Sequence, residues 1–201
     1  MIKNIIFDLS EVIISGYHGT DKLIEKKYAI SAEEFYRRKA EKNDTFLDLM
    51  RGNLKEEDYW NELIEGMDWN ITVEELKTTI RGNLNQPVNG TMEIIKQLKG
   101  KYQLILLSDQ VREWMTYIEE KNQDICIFDK KIFSYEIGSV KSDEQTFRTV
   151  LDLTQVVPEE TLFIDDYERN VRNAEEVGIH GIIFQDAEQL KQELHSKYNL
   201  I

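Results

Sequence analysis

Cysteine is nearly absent from this chain. Cys126 is the only one in 201 residues, so no intrachain disulfide can form and a reducing compartment is the expected setting. Its neighbours Ile125, Ile127 and Phe128 make an apolar stretch in which a buried, inert thiol is expected rather than a nucleophile. Histidine is scarce as well. His18, His180 and His195 show no metal-ligand spacing; His180 is expected to pack beside the last strand, His195 to sit on a terminal helix face, and His18, where the chain enters the cap, to lie at the surface or, as the alternative, to face the pocket. Positive charge is outweighed, with 25 Lys and Arg against 38 Asp and Glu and a net charge of −13. That balance argues against nonspecific nucleic-acid binding and against an anionic membrane surface. No apolar run approaches the roughly 20 residues of a membrane span. The first residues lack the basic region and long apolar segment of a signal peptide, so a cytoplasmic location is expected. Internal repeats and low-complexity tracts are missing too.

What is present suits a soluble globular protein, with 41% hydrophobic and 31% charged residues. The length holds one substantial domain, or a core with a smaller insertion. Short runs of β-branched and aromatic residues read as buried strands of a parallel sheet over 2–8, 101–108, 131–135, 161–166 and 180–184. Helices are expected at about 90–99, closed by Gly100, at 110–122, from 142 to about 153, from the 161–166 strand to Val177, stopped by Gly178, and at 186–197. Ser142-Asp143-Glu144-Gln145 has the form of a capping box that would start the third of these. Repeated β-then-α order predicts an α/β fold, a doubly wound, Rossmann-like parallel sheet. Residues 16–84 differ, being Glu- and Lys-rich helical stretches with aromatics at Phe35, Tyr36, Phe46, Tyr59, Trp60 and Trp69. They read as a helical cap inserted after the first strand, leaving 1–15 and 85–201 as the core. The cap aromatics are expected to serve mainly in packing.

Two of the strands end in carboxylates, Asn4-Ile5-Ile6-Phe7-Asp8 and Thr161-Leu162-Phe163-Ile164-Asp165-Asp166. Carboxyl ends of strands are where open α/β sheets bind ligands. Three acids gathered there would repel one another unless a cation sits among them, and an oxygen-ligated divalent ion, commonly Mg²⁺, is the economical choice.

Four short motifs in order, Ile5-Ile6-Phe7-Asp8-Leu9-Ser10-Glu11-Val12, Leu106-Leu107-Ser108, Lys141, and Phe163-Ile164-Asp165-Asp166-Tyr167-Glu168-Arg169-Asn170, resemble the haloacid-dehalogenase-like phosphatase superfamily. The wording from Pro158 to Asp166 is most similar to the subgroup that includes sugar-phosphate phosphatases. The resemblance implies a phosphatase with Asp8 as nucleophile, forming an aspartyl-phosphate that water later hydrolyses. It implies Mg²⁺ held by Asp8, the Ser10 carbonyl and the Asp165/Asp166 pair, with Asp165 either a direct ligand or a partner of Lys141. Ser108 would donate to a phosphate oxygen, Lys141 would neutralise charge, and Asn170 would support the site from behind. The implied partner is a small phosphorylated metabolite, such as a sugar 1-phosphate.

The chain departs from the family pattern at Ser10, where most of these phosphatases carry an acid that protonates the leaving group. General acid–base help is worth about 10²–10⁴-fold, and a serine hydroxyl cannot supply it. Glu11 is adjacent but points elsewhere on a turn. Asp109 stands where the family often has Asn, and would repel a phosphate unless Lys141 or Arg112 pairs with it. These changes motivate a second reading, a family member that binds metal and a phosphorylated ligand or a partner with little turnover. Hydrolytic dehalogenation is a third, disfavoured by the Asp165-Asp166 pair because that chemistry needs no metal.

Overall fold

The computed structural model describes residues 1–201. Its elements run β1 (Asn4–Phe7), α1 (Thr20–Tyr28), α2 (Ala32–Glu41), α3 (Asn43–Met50), α4 (Glu56–Ile64), α5 (Val73–Asn83), α6 (Thr91–Leu98), β2 (Gln103–Ser108), α7 (Arg112–Lys121), β3 (Lys130–Phe133), α8 (Ser134–Ile137), α9 (Thr146–Thr154), β4 (Thr161–Asp165), α10 (Glu168–Glu175), β5 (His180–Ile183) and α11 (Ala187–Ser196). The five strands form one sheet in the order β3-β2-β1-β4-β5, with every pairing parallel. The chain therefore builds outward from β1 to β3, then returns across β1 to start the other half. That reversal opens a crevice at the carboxyl ends of β1, β2 and β4.

Alternation along the strands supplies both faces of the sheet. Ile5, Phe7, Leu104, Leu106, Leu162 and Ile164 point into the larger core, with α6, α7, α11 and the helices that follow β1. Ile6, Ile105, Leu107 and Phe163 point the other way, onto Phe147 and Val150 of α9 and Ala174 of α10. Phe147 meets Phe163 edge to face at 5.1 Å. Helices α1–α5 lie in the segment expected to form a cap, between β1 and α6, and their Phe35, Tyr59 and Trp60 are fully buried and join the larger core.

The cap is tied to the core by polar contacts as well. Glu56, buried in α4, accepts from the indole Nε1 of Trp60 at 3.2 Å and of Trp114 in α7 at 2.8 Å, and pairs with Arg81 of α5. Arg51 grips Asp143 with two hydrogen bonds of 3.2 and 2.8 Å.

Three local expectations are corrected. The capping box at Ser142 does not form, and α9 starts at Thr146 with no side-chain cap. Asp143 is instead engaged by the Val140 N–H, the Ser139 hydroxyl and Arg51, which holds 140–143 as a turn. Cys126 is exposed, because Gln123–Ile127 is a 3₁₀ segment that turns Ile125 and Phe128 inward instead. His180 is exposed at the start of β5, its ring meeting only the Glu159 carbonyl and the edge of Tyr198. No helix is long and apolar enough to cross a membrane.

Candidate active site

Register brings the acids together before any side chain is considered. Phe7 lies opposite both Leu106 of β2 and Ile164 of β4, and the Asp8 N–H donates to the Ile164 carbonyl at 2.9 Å. Asp8, Ser108 and Asp165 therefore end three adjacent strands on one edge. All three are buried.

Lys141 reaches this edge from the turn before α9. Its Nζ lies 2.8 Å from Asp8 Oδ1 and 2.5 Å from Asp165 Oδ2. Burial alone would lower its affinity for a proton, but the charges of Asp8, Asp165 and Asp109 outweigh that and raise its pKa well above the ordinary lysine value. Lys141 is therefore a fixed cation. Burial pushes Asp8 upward; Lys141 opposes this, while Asp165 and Asp166 add to it.

Asp165 and Asp166 are adjacent in sequence and differ in surroundings. Asp165 has both oxygens occupied, by Lys141, by the Tyr167 N–H at 2.8 Å and by the Asn170 amide at 3.0 and 3.2 Å. Asp166 is half-buried, and the only hydrogen bond acting on it comes from the backbone. Burial and the neighbouring Asp165 push it up to about 6. Oxygens of Asp8, Asp165 and Asp166 all lie within 4.8 Å of one another.

A divalent cation fits this group on the chemistry of its donors. The carboxylates of Asp8, Asp165, Asp166 and Asp109 outnumber Lys141, the acids are pushed upward by crowding and burial, and every donor is a hard oxygen. Asp165 is already engaged by Lys141 and Asn170, whereas Asp166 receives no side-chain hydrogen bond. The Ser108 hydroxyl is buried with no hydrogen-bond partner. Buried polar groups are rarely left so, and this one ends β2, the strand paired with β1.

The two departures from the family pattern have definite surroundings. The Ser10 hydroxyl accepts from the Gln110 side-chain amide at 3.2 Å. Glu11 takes a left-handed conformation (φ 61°) and accepts from the Gly16 N–H at 2.7 Å, which closes the loop after β1. Gly16 is required there, since a Cβ would stand 2.8 Å from Ser10 Cβ. Asp109 accepts from the Lys141 backbone N–H with both oxygens, at 3.0 and 3.1 Å, and burial raises it to about 6. Arg112 is not its partner; that guanidinium lies over the Tyr135 ring at 4.6 Å.

Asp8, Ser10, Asp109, Lys141 and Asp166 line a cavity of about 480 Å³ together with residues of α2 and α3, whereas Ser108 and Asp165 are buried and outside its lining; the volume is within the usual range for small-molecule sites. Its upper wall includes Tyr17, Tyr36, Lys39, Phe46 and, from α7, Trp114. Tyr36 and Phe46 thus line the cavity as well as serving the cap. His18 is exposed at the rim, also lines the cavity, and meets the Tyr167 hydroxyl at 3.2 Å. Gln110, Tyr17, Lys39 and Trp114 could not be singled out from the sequence. No motif marks them; only packing turns them toward the cavity.

Comparison with known proteins agrees with this geometry. Residues 2–178 match the family model described as haloacid dehalogenase-like hydrolase. The chain is similar to a D-ribitol-5-phosphate phosphatase of Bacteroides thetaiotaomicron, 28% identical over 204 residues that cover 96% of this chain and 97% of that protein. Among solved structures, it resembles a haloacid dehalogenase family enzyme of the same organism in complex with magnesium and inorganic phosphate, with a TM-score of 0.77, 23% identity, and coverage of 94% and 99%. It also resembles an L-2-haloacid dehalogenase of Xanthobacter autotrophicus, with a TM-score of 0.68, 16% identity, and coverage of 98% and 83%. At those identities the two structures share the fold alone.

Proposed function

The chain belongs to the haloacid dehalogenase-like hydrolase family, and from that membership we propose that it is a Mg²⁺-dependent phosphomonoesterase acting on a small phosphorylated metabolite. The observation that carries this reading is the buried Lys141 ammonium set 2.8 Å from Asp8 and 2.5 Å from Asp165, with oxygens of Asp8, Asp165 and Asp166 within 4.8 Å of one another. Asp8 would attack phosphorus with a carboxylate oxygen, forming an aspartyl-phosphate as the ester oxygen leaves. Ser108 would donate to a phosphoryl oxygen, and Lys141 would balance charge that grows as the bond breaks. Water would then attack phosphorus, releasing inorganic phosphate and returning the carboxylate. Asp165 would position Lys141, while Asp8, Asp166 and the Ser10 carbonyl would hold Mg²⁺. Bound there, the ion would draw charge from the transferring phosphoryl group.

Ser10 leaves the departing oxygen without a carboxylic acid to protonate it. Esters whose alcohol leaves easily would then be favoured, and a sugar 1-phosphate is such an ester. The similarity to a D-ribitol-5-phosphate phosphatase supports phosphorylated polyols and sugars more broadly. The test is phosphate release across a panel of such esters with and without Mg²⁺, with Asp8→Asn as control. Release is expected only with metal and only with Asp8 intact; metal-independent release, or release unchanged by the substitution, overturns the reading.

The same Ser10 and Asp109 support a second reading, a binding protein with little turnover. Ser10→Asp separates the two. A gain of about 10²-fold or more marks a site lacking only its acid, whereas no activity in either form favours binding. Halide release from a chloroacid would revive dehalogenation.

A further inference from the structure

Lys39 stands out among the cations of the molecule. It sits in α2 of the cap and lines the upper wall of the cavity. Its neighbours on the same helix, Arg37 and Arg38, both pair with Glu41, but Lys39 forms no ion pair. Its Nζ lies over the face of Tyr17 at 3.9 Å and near Phe35 at 5.7 Å. Tyr17 in turn packs against Phe46 at 5.4 Å and Trp114 at 5.3 Å, so the ammonium stands on an aromatic wall. Burial lowers its pKa, and only the more distant charge of Asp21 works against that.

A half-buried ammonium without a counter-ion is unfavourable, and ring faces offset only part of the lost hydration. A bound anion would supply what is missing. The floor of the cavity is rich in carboxylates, so any negative group beyond the transferred phosphate is repelled unless a cation meets it above. Of the cations lining the cavity, Lys141 is held by Asp8 and Asp165, and Arg169 donates to the Ser142 carbonyl at 3.4 Å; Lys39 is the one supplied by α2.

We propose that Lys39 reads a second anionic group, a carboxylate or a phosphate, on the part of the substrate that leaves, so that preferred substrates are small phosphomonoesters with a distal negative charge. This rests on the phosphatase reading and narrows it. Matched probes test it: phosphoglycerate against glycerol phosphate, and glucose 1,6-bisphosphate against glucose 1-phosphate. The first pair reports a carboxylate and the second a phosphate. With Mg²⁺ present, kcat/KM is expected to favour the anion-bearing member of at least one pair by about tenfold or more, the scale of a charge-assisted contact. Lys39→Met should collapse that ratio toward one, and Lys39→Arg should keep part of it. A wild-type ratio at or below one for both pairs overturns the proposal, as does a ratio that Lys39→Met leaves unchanged. Release of phosphate from none of the probes would count against the phosphatase reading alone. In that case calorimetry gives the same ratios as dissociation constants for wild type and Lys39→Met. Tighter binding of an anion-bearing probe, lost in Lys39→Met, supports the proposal; equal binding, or a preference that survives the substitution, overturns it.

Discussion

At the carboxyl edge of the sheet, four carboxylates crowd around Lys141, and those of Asp8, Asp109 and Asp166 also line the cavity floor. Above it, the cap sets Lys39 among aromatic rings without an ion-pair partner. The floor has too much negative charge and the cap has an uncompensated positive one. A phosphorylated ligand with a metal ion would answer both. The contrast also separates two origins of a site. Floor residues are placed by backbone register, where adjacent parallel strands admit one alignment. Cap residues are placed by side-chain packing between helices, which can drift without disturbing the sheet.

The largest expected effect comes from weakening the floor at its one unengaged acid. Asp166→Asn should lower Mg²⁺-dependent kcat/KM by about 10³-fold, since metal charge stabilisation supplies several kcal/mol. Titration with Mg²⁺ should show an affinity loss, while circular dichroism shows an intact fold. If Asp165→Asn alone lost metal affinity and Asp166→Asn did not, the division of labour between the pair would be reversed.

Separating the cap from the floor should come next. Glu56→Ala strips two buried indole N–H groups and Arg81 of their acceptor, at an expected loss of about 2–4 kcal/mol in denaturant unfolding. A loss below about 0.5 kcal/mol would mean that apolar packing alone joins cap and core.

The smallest effect is a gain. Burial raises Asp109 to about 6, above its unfolded value of 3.8, so the folded chain binds that proton more tightly than the unfolded one. Stability therefore falls as pH rises from about 4 to about 6 and stays lower above that. Asp109→Asn keeps an acceptor for the Lys141 N–H and removes the charge. In metal-free buffer it should stabilise the protein by up to about 3 kcal/mol near pH 7.5 and by almost nothing near pH 4. An equal effect at both pH values would show that charge is not the cause.

The contrast between floor and cap is also a contrast in what could be read from residues alone. Asp8 and Asp165 were legible because apolar runs ending in acids mark strand ends, and the sheet followed from the β-then-α order. Lys141 was legible only through resemblance, since a lone lysine in a turn carries no signal of its own. The residues alone favoured Asp166 as the metal ligand of the pair and left Asp165 open; the Asn170 amide and the Tyr167 N–H are seen to occupy Asp165 only in the fold. Ser142 looked like a cap because its spacing to Gln145 was right, but Asp143 had a stronger use in gripping Arg51 across the chain. Lys39 and Gln110 were illegible for the same reason, as their roles arise between elements distant in sequence. Gln110 meets Ser10 across 100 residues.

The most direct test of the central claim is to trap the phosphorylated enzyme. With Ser10 in place of an acid–base group, water is poorly activated and the aspartyl-phosphate should outlive its formation. Acid quenching during turnover of p-nitrophenyl phosphate with Mg²⁺, followed by peptide mass spectrometry, should place one phosphoryl group on Asp8. The adduct should vanish without Mg²⁺ and become shorter-lived in Ser10→Asp. Turnover at full rate with no adduct on Asp8, or with the phosphoryl group on another residue, would contradict an Asp8 nucleophile.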